Sequence, residues 1–354
     1  MTRQLAREAV APILEAEDVR TLSVNEIMAL TREEIDDFLP DGTYAIDPRN
    51  GDWILYHSSR ARRPHDNVPE PGATIPESEC AICQGETTGV IDVAELSEGF
   101  TFINKNLFPV LYPFEDEALA SGLHLLQWTS SQHDKDWHNM PLLDRTIVLE
   151  RLAALEKTLL EGSNASNRTA TEPPCVSVVI IKNYGHLVGA SLAHGHQQIA
   201  CSSLMPRHFQ DNARFEEEHG ETFSGFVLRE TPAELVVRDY GPVVLLVPTF
   251  MRRPYAMMLL VKATRRRYVH QLDEAERVAV AEGWHDGIRA IREVMPRIGR
   301  EIAYNVITNN GPGAGLYFEF MPYTQEIGGV EHLGLFVCQG VPEDAAATLR
   351  EIIQ

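Results

Sequence analysis

Three polar side chains spaced two residues apart could do chemistry on one face of a strand. His194, His196 and Gln198 lie in the segment NYGHLVGASLAHGHQQI, residues 183–199, which follows an apolar, β-branched run. Because alternate residues of an extended strand point to the same face, this spacing predicts that all three line one side. Two imidazoles and an amide beside a glycine-bearing turn can bind a metal ion or a phosphate. The segment is therefore the predicted active site.

His196 is the candidate nucleophile of this segment. A neutral imidazole can attack an α-phosphorus and hold a nucleotidyl group as a phosphoramidate, provided that an acceptor such as a backbone carbonyl holds its other ring nitrogen. Gln198 can donate to a non-bridging phosphate oxygen. Ser191 and the small-residue turn that contains Gly189 can offer hydroxyl and N–H groups to a second phosphate. The alternative for a His-x-His on a strand is a metal site or a packed pair.

Four residues of the types that bind zinc are spread along the first half of the chain: Cys80, Cys83, His133 and His194. A Cys-x-x-Cys pair with two distant histidines makes a tetrahedral structural site. The spacing is not that of a zinc finger, so two alternatives stay open. The cysteines could be buried thiols, and His133 could be a surface loop residue.

Arg60 and Arg63 form a basic cluster before a Pro-rich loop at residues 64–76. Guanidinium groups can neutralise charge on phosphates, although a solvated surface patch is the alternative. A loop of this length in a compact protein is usually functional or is ordered by something else. Since Cys80 and Cys83 lie just beyond it, a bound metal is a natural anchor.

Composition restricts the class of protein. The 354 residues suggest two domains, and the formal net charge of −20 argues against a duplex nucleic-acid binder. No apolar run approaches the ~18 residues of a transmembrane helix, and the N-terminus lacks a signal-peptide core, so we expect no membrane partner and a cytoplasmic protein. Five cysteines suit a reducing compartment and metal binding better than a disulfide framework. Three of them are interpreted as core residues: Cys175, Cys201 and Cys338.

The two halves of the chain follow the same order of predicted elements. Each reads as strand, strand, long helix, strand, a turn with Asn and Gly, and strand, with the long helices at 144–160 and about 273–294. Internal repetition of this kind indicates two similar units. We predict an α+β protein with a helical N-terminal extension at 1–40, a first domain at 41–212 that carries the histidines, and a second at 213–354.

Two pairs of residues have the spacing of a capping box, in which the first side chain caps a helix and the second reaches back to it. Thr31 and Glu34 predict a helix start in the N-terminal extension, and Asp273 and Glu276 predict the start of the second long helix.

Taken together, these motifs resemble the galactose-1-phosphate uridylyltransferases, the transferase branch of the histidine-triad superfamily. The resemblance runs from about residue 47 to about residue 346 and rests on five separated segments in the same order. The segments are Asp47-Pro to Arg63-Pro64, Cys80-x-x-Cys83, Asn106-Leu-Phe108-Pro, Ser130-Ser-Gln-His133, and Asn183 to Gln198. The resemblance implies two histidine-triad-like domains and a homodimer.

The resemblance also implies roles for individual residues. His194 would be the fourth ligand of one structural zinc ion per chain, and His196 the covalent nucleophile. Gln198 would contact the phosphate of the nucleotidyl-enzyme. The other implied substrate contacts are Asn106 and Phe108 with the nucleoside, and Asn183 and Ser191 with phosphates.

The sequence departs from the family pattern at three places. Between the two histidines the family usually has proline, whereas this chain has Gly195, which frees the backbone and predicts looser positioning of His196. Many members have a second metal site on a later strand, where this chain has Tyr317 and Glu319, so we expect no second metal. The sugar-contacting region aligns poorly at residues 329–339.

We therefore predict a nucleotidyltransferase. It would move a nucleoside monophosphate between a nucleoside diphosphate sugar and a sugar 1-phosphate, or a related phosphorylated acceptor, through a nucleotidyl-His196. Three alternatives stay open: an ADP-sugar or dinucleotide phosphorylase that uses inorganic phosphate, a hydrolase, and a catalytically dead, zinc-stabilised nucleotide-binding protein. The presence of both His196 and Gln198 argues against the last. The motifs do not decide between uracil and adenine.

Overall fold

The fold of the chain is a mixture of helices and antiparallel sheet. The computed structural model describes residues 4–32, 39–46, 53–55, 80–114, 116, 119–164 and 175–354. The strands of these regions are β1 Tyr44–Ile46, β2 Trp53–Leu55, β3 Val90–Glu95, β4 Phe100–Lys105, β5 Gly122–Trp128, β6 Ser177–Tyr184, β7 His196–Ser202, β8 Val236–Asp239, β9 Val243–Leu246, β10 Met257–Val261, β11 Tyr304–Asn309 and β12 Tyr317–Pro322. The α-helices are α1 Arg7–Val10, α2 Val24–Arg32, α3 Leu142–Asn164, α4 Arg207–His219, α5 Phe223–Glu230, α6 Glu274–Arg297, α7 Gly329–His332 and α8 Pro342–Ile353.

The chain divides into two compact units. The first contains residues 1–136, 143–180 and 192–211, and the second contains 137–142, 181–191 and 212–354. No helix in the described part of the chain is both long enough and apolar enough to cross a membrane.

The sheet of the first unit has the strand order β3, β4, β5, β7, β6, with residues 181–184 of β6 grouped in the second unit. The pairs β3–β4, β4–β5 and β5–β7 are antiparallel. Helix α3 is joined to this sheet by polar contacts: the Gln127 side chain donates to the Val148 carbonyl at 2.9 Å, and Arg151 forms an ion pair with Asp92 of β3. Arg151 also forms an ion pair with Asp18, and this second pair attaches the N-terminal segment to helix α3.

A core of apolar side chains packs the N-terminal segment against β4 and β5. Its buried members are Leu5, Val10, Cys80, Ile82, Val90, Phe100, Phe102, Leu126 and Trp128. The first helix of the extension therefore packs directly on the cysteine-bearing turn. A backbone hydrogen bond also attaches the N-terminal segment, since the Leu5 amide donates to the Ser131 carbonyl at 2.8 Å.

The sheet of the second unit has the strand order β11, β12, β10, β9, β8. The pairs β11–β12, β12–β10, β10–β9 and β9–β8 are antiparallel. Helix α6 packs closely on one face because two of its residues are glycines. A Cβ at Gly283 would lie 2.4 Å from a Leu259 methyl, and one at Gly287 would lie 2.9 Å from the Phe320 ring. Close helix–sheet packing at these two points therefore requires glycine.

The two predicted capping boxes had different outcomes. The box at Asp273 and Glu276 is present: the Asp273 carboxylate accepts from the Glu276 amide at 2.9 Å, and the Glu276 carboxylate accepts from the Asp273 amide. The box at Thr31 is wrong, because Thr31 lies in the last turn of α2 and its hydroxyl donates to the Ile27 carbonyl. Helix α2 is instead preceded by a reciprocal pair of bonds between Ser23 and Glu26.

Cys175 and Cys201 are bonded to each other as a disulfide, with their Cα atoms 5.5 Å apart. The two residues are neighbours because the Val176 amide donates to the Ser202 carbonyl at 2.9 Å, which aligns the chain before β6 with β7. Both cysteines are buried, as predicted, but they are paired rather than free thiols. Cys338 is a free, half-buried thiol, so its assignment to the core is wrong.

Candidate active site

The two cysteines of the Cys-x-x-Cys motif lie in a hydrogen-bonded turn. The Gln84 amide donates to the Cys80 carbonyl at 3.1 Å, and the Gly85 amide donates to the Ile82 carbonyl at 3.0 Å. Gly85 has a φ of 83°, in the left-handed region that favours glycine. This local geometry brings the sulfurs of Cys80 and Cys83 to one place, and it follows from the sequence of the turn itself.

The turn meets two histidines from distant segments. The ligand atoms of Cys80, Cys83, His133 and His194 all lie within 4.8 Å of one another. The Nδ1 atom of His194 is 3.7 Å from the Cys80 sulfur and 3.6 Å from the Cys83 sulfur, and His133 Nδ1 is 3.6 Å from the Cys83 sulfur. Tetrahedral zinc, with Zn–S of about 2.3 Å and Zn–N of about 2.0–2.1 Å, separates sulfur and nitrogen ligands by about 3.6 Å. The cluster therefore has the donor types and spacing to bind a metal ion.

The surroundings of the cluster prepare two of these groups for metal binding. His194 Nε2 donates to the Ser130 carbonyl at 2.8 Å, which leaves Nδ1, the nitrogen that faces the sulfurs, with its lone pair. The pKa of the Cys80 thiol lies well below its usual range, chiefly because Cys83 hydrogen-bonds to it and also because both histidines do. A lowered thiol pKa favours the thiolate, which is the form that binds metal.

Trp128 of β5 supports both histidines of the His-Gly-His motif. Its ring centroid is 5.4 Å from that of His194, in an edge-on arrangement, and 4.9 Å from that of His196. In the β5–β7 register Trp128 lies directly opposite His196, so their side chains share one face of the sheet. Strand β7 begins at His196. The prediction that one strand carries all three polar residues is therefore wrong for His194, which precedes the strand.

The His196 ring has a defined tautomer. Its Nδ1 atom is 2.8 Å from the backbone carbonyl of His194, and a carbonyl oxygen can only accept a hydrogen bond. Nδ1 therefore carries the proton in the neutral ring, and Nε2 carries the lone pair. The side chain is 5% exposed, so this arrangement is shielded from water. This is the state in which an imidazole acts as a nucleophile.

Gly195 is tightly enclosed rather than loosely held. Its carbonyl accepts from both the amide and the hydroxyl of Thr129, each at 3.0 Å. A Cβ at this position would lie 2.7 Å from the Thr129 hydroxyl and 2.7 Å from the Asp136 carboxyl carbon. The expectation that glycine loosens the positioning of His196 is therefore wrong: glycine is needed here because Thr129 and Asp136 occupy the space of a side chain.

Replacement of Gly195 by alanine is expected to lower the free energy of unfolding by about 1–3 kcal/mol, since the added methyl group overpacks a buried contact. Urea unfolding of the purified protein measures the change. Gly329→Ala is the matched control, because a Cβ there meets nothing within 4 Å, and it should have almost no effect. Equal stability of Gly195→Ala and the wild-type protein would show that Asp136 and Thr129 move aside freely.

Gln198 follows His196 on the same strand face, and its amide is bonded inside the protein. Its Oε1 atom is 3.0 Å from Nε2 of His124, a residue of β5 that is 1% exposed. Asn106 is also internal: its Oδ1 accepts from the Phe108 amide at 2.9 Å, and its amide nitrogen lies 3.2 Å from His124 Nδ1. Phe108 itself is half-buried.

Asn183, Gly189 and Ser191, which are predicted to contact phosphates, belong to the second unit. The Asn183 Oδ1 atom accepts from the Asn305 side chain at 2.7 Å. Gly189 has a left-handed φ of 83° and ends a short 3-10 helix, with open space where a Cβ would be. Ser191 is half-buried. The roles predicted for these residues toward phosphate stay predictions.

Arg60 and Arg63, predicted to neutralise phosphate charge, lie outside the described residues. Strand β12 contains Tyr317 and Glu319, at the place where the sequence predicts no second metal site. The Tyr317 hydroxyl donates to Asn212 Oδ1 at 3.2 Å, and the Glu319 carboxylate accepts from Asn309 at 2.8 Å.

Two residues of the site were not found by sequence reasoning. Trp128 and His124 both lie on β5, on the face that carries His196 and Gln198. The sequence predicts the strand, and because side chains alternate between the two faces of a strand, it also predicts that His124 and Trp128 share a face. It does not give the register with β7, which determines the side chains that they contact.

The fold of this chain is that of the uridylyltransferases. A solved uridylyltransferase structure superposes with a TM-score of 0.68 at 21% identity, covering 88% of this chain and 98% of that one. The structure of an ADP-glucose phosphorylase from Arabidopsis thaliana with bound ADP-glucose superposes with a TM-score of 0.64 at 16% identity, covering 87% and 98%. The predicted resemblance to galactose-1-phosphate uridylyltransferases is confirmed by the shared fold.

Sequence comparison gives the same relatives. The chain is 20% identical to the ADP-glucose phosphorylase of Arabidopsis thaliana over 348 residues, which cover 86% of this chain and 92% of that enzyme. It is 24% identical to the galactose-1-phosphate uridylyltransferase of Rattus norvegicus over 238 residues, 64% of this chain and 61% of that enzyme. The second match thus spans less than two thirds of the rat enzyme. No protein-family model matches the chain.

Proposed function

We propose that the chain is a nucleotidyltransferase that works through a covalent nucleotidyl-His196. It takes a nucleoside monophosphate from a nucleoside diphosphate sugar and passes it to a sugar 1-phosphate or a related phosphorylated acceptor. The observation that carries this proposal is the 2.8 Å contact from His196 Nδ1 to the His194 carbonyl, which leaves Nε2 with its lone pair. The kinship with uridylyltransferases and an ADP-glucose phosphorylase supports the same chemistry.

The reaction has two balanced displacements. In the first, Nε2 of His196 attacks the α-phosphorus, a P–N bond forms, and the P–O bond to the sugar 1-phosphate breaks with its electron pair leaving on that oxygen. In the second, a phosphate oxygen of the acceptor attacks the same phosphorus and the P–N bond breaks. The ring carries positive charge while the P–N bond exists, and the His194 carbonyl dipole at Nδ1–H stabilises that charge.

Other side chains have proposed binding roles. Gln198 donates to a non-bridging oxygen of the nucleotidyl group, and Arg60 and Arg63 neutralise phosphate charge. The remaining proposed substrate contacts are Asn106 and Phe108 with the nucleoside, and Asn183, Gly189 and Ser191 with phosphates.

One zinc ion bound by Cys80, Cys83, His133 and His194 is proposed to have a structural role. A bound ion would link the cysteine turn to the segment before β7, and with four protein ligands it would have no open position for substrate. Its contribution to catalysis would be indirect, because His194, one of the four residues that would hold it, orients His196 through its backbone carbonyl.

An ADP-sugar phosphorylase is the second candidate. The observation that favours it is the alignment with the Arabidopsis ADP-glucose phosphorylase, which extends over 92% of that enzyme, against 61% for the rat uridylyltransferase. In this reaction inorganic phosphate replaces the sugar 1-phosphate in the second displacement. The first displacement and the role of His196 are the same.

We also propose that the two units are duplicated histidine-triad-like domains, with the boundary near residue 212. Support comes from strand order: β3, β4, β5, β7, β6 in the first and β8, β9, β10, β12, β11 in the second follow one pattern along the chain. A homodimer is a further proposal that rests on the family resemblance. A cytoplasmic location is proposed from the sequence, and the Cys175–Cys201 disulfide counts against it.

Labelling by nucleotide tests the function. The protein is incubated separately with UDP-glucose, ADP-glucose and ATP, and its intact mass is measured. Addition of one nucleoside monophosphate is expected with the correct base. The labelled protein is then exposed to inorganic phosphate, to glucose 1-phosphate and to water, and the reagent that removes the label identifies phosphorylase, transferase or hydrolase. Tight nucleotide binding without any label would instead support a dead binding protein.

A further inference from the structure

His124 is a buried histidine near the start of β5, the strand that pairs with β7. In the β5–β7 register it lies opposite Ala200, one diagonal step from Gln198 on the same face. Diagonal neighbours on paired strands are within reach of long side chains. The Gln198 amide uses this reach, and its Oε1 atom lies 3.0 Å from His124 Nε2.

The tautomer of His124 follows from its backbone neighbour. The Val110 amide donates to His124 Nδ1 at 2.9 Å, and a backbone N–H can only donate. Nδ1 therefore holds the lone pair, and the proton of the neutral ring is on Nε2. That N–H requires an acceptor, so the oxygen of the Gln198 amide, and not its nitrogen, must face His124.

The turn before β5 holds the ring in place. The Asn106 Oδ1 atom accepts from the Phe108 amide at 2.9 Å, which identifies the other end of this side chain as the NH₂ group. Its nitrogen lies 3.2 Å and 3.3 Å from the two ring nitrogens of His124, and these nearly equal distances place it over the ring face. Asn106 and Val110 thus hold His124 from two directions.

We propose that His124 is a positioning residue that fixes the Gln198 amide with its NH₂ group directed away from His124, toward the phosphate bound at His196. This inference rests on the proposed nucleotidyl transfer. Phosphate oxygens only accept hydrogen bonds, so they require a donor, and a flipped amide would present an oxygen to them. The hydrogen bonds of Asn106 and His124 also connect the turn that carries Phe108, the predicted nucleoside contact, to the Gln198 amide, the predicted phosphate contact.

Two substitutions of His124 separate its hydrogen bonds from its volume. His124→Gln keeps one acceptor and one donor, which can serve Val110 and Gln198, and should retain the rate of nucleotide labelling within about 3-fold. His124→Leu removes both, so the Gln198 amide can rotate, and the labelling rate should fall about 10- to 100-fold, the value of a hydrogen bond to a charged group. His219→Gln, at the exposed last residue of α4, is the matched control and should label at the wild-type rate.

A double-mutant cycle tests whether His124 acts through Gln198. If it does, His124→Leu combined with Gln198→Ala should label no more slowly than Gln198→Ala alone. A purely structural role would instead give losses that multiply. Long-range ¹H–¹⁵N NMR of the wild-type His124 ring provides a readout independent of activity, with the proton expected on Nε2 and none on Nδ1.

The outcomes distinguish this inference from the function on which it rests. If no nucleotide labels the wild-type protein, the proposed function fails and the inference fails with it. If the wild-type protein is labelled but the two losses multiply, only the role of His124 is overturned. A proton on Nδ1 of His124, or full labelling by His124→Leu, would also overturn it.

Discussion

Replacement of His196 by asparagine is expected to abolish nucleotide labelling and to lower turnover by at least about 10⁴-fold, as removal of a catalytic nucleophile does. The asparagine amide has no basic nitrogen that can attack phosphorus. Its NH₂ group can still donate to the His194 carbonyl, which now accepts from His196 Nδ1 at 2.8 Å. The substitution therefore removes the nucleophile and keeps the local hydrogen bond. Intact mass after incubation with the labelling nucleotide and steady-state kinetics measure the two effects.

His219→Asn is the control for this experiment, since it makes the same change at an exposed helix end. It should keep both label and turnover. The thermal unfolding curves of both variants should match that of the wild-type protein, which would exclude a folding defect. If His196→Asn gains the same added mass as the wild-type protein, another residue is the nucleophile and the proposed mechanism fails.

The sequence was most informative where chemistry is local. The Cys-x-x-Cys turn closes through its own backbone hydrogen bonds and a glycine with positive φ, so its spacing alone predicts two sulfurs at one place. The capping box at Asp273 and Glu276 is local in the same sense and was also predicted correctly. The Thr31 box failed because a threonine can cap a helix or, as here, bond to the carbonyl four residues before it.

The sequence was least informative where contacts depend on strand register. That His124 reaches Gln198, and that Trp128 supports His196, depends on how β5 aligns with β7. One residue of slip would move every side chain of β5 to the opposite face. Gly195 is a similar case: the freedom of glycine was evident, whereas Thr129 and Asp136, which exclude any side chain there, come from elsewhere in the chain.

Loss of the bound metal is expected to lower the unfolding temperature by about 10 °C. The four ligands come from the cysteine turn, the loop at His133 and the segment before β7, so the ion would link three separate parts of the first unit. Binding to a site that exists only in the folded state adds to folding stability. A loss of a few kcal/mol corresponds to about 10 °C for a folding unit of about 150–250 residues, the size range of the first unit. Differential scanning calorimetry before and after chelation measures the change.

Cys83→Ser and Cys338→Ser form a matched pair for this test, because both replace a half-buried thiol and only the first is in the cluster. Cys83→Ser should unfold near the temperature of the chelated wild-type protein and respond little to chelator, since the linkage is already lost. Cys338→Ser should behave as the wild-type protein in both conditions. Elemental analysis should find about one zinc per wild-type chain. If the wild-type protein contains no metal and chelator leaves its unfolding temperature unchanged, the assignment of the four ligands is refuted, because a metal ion at this site would then not stabilise the fold.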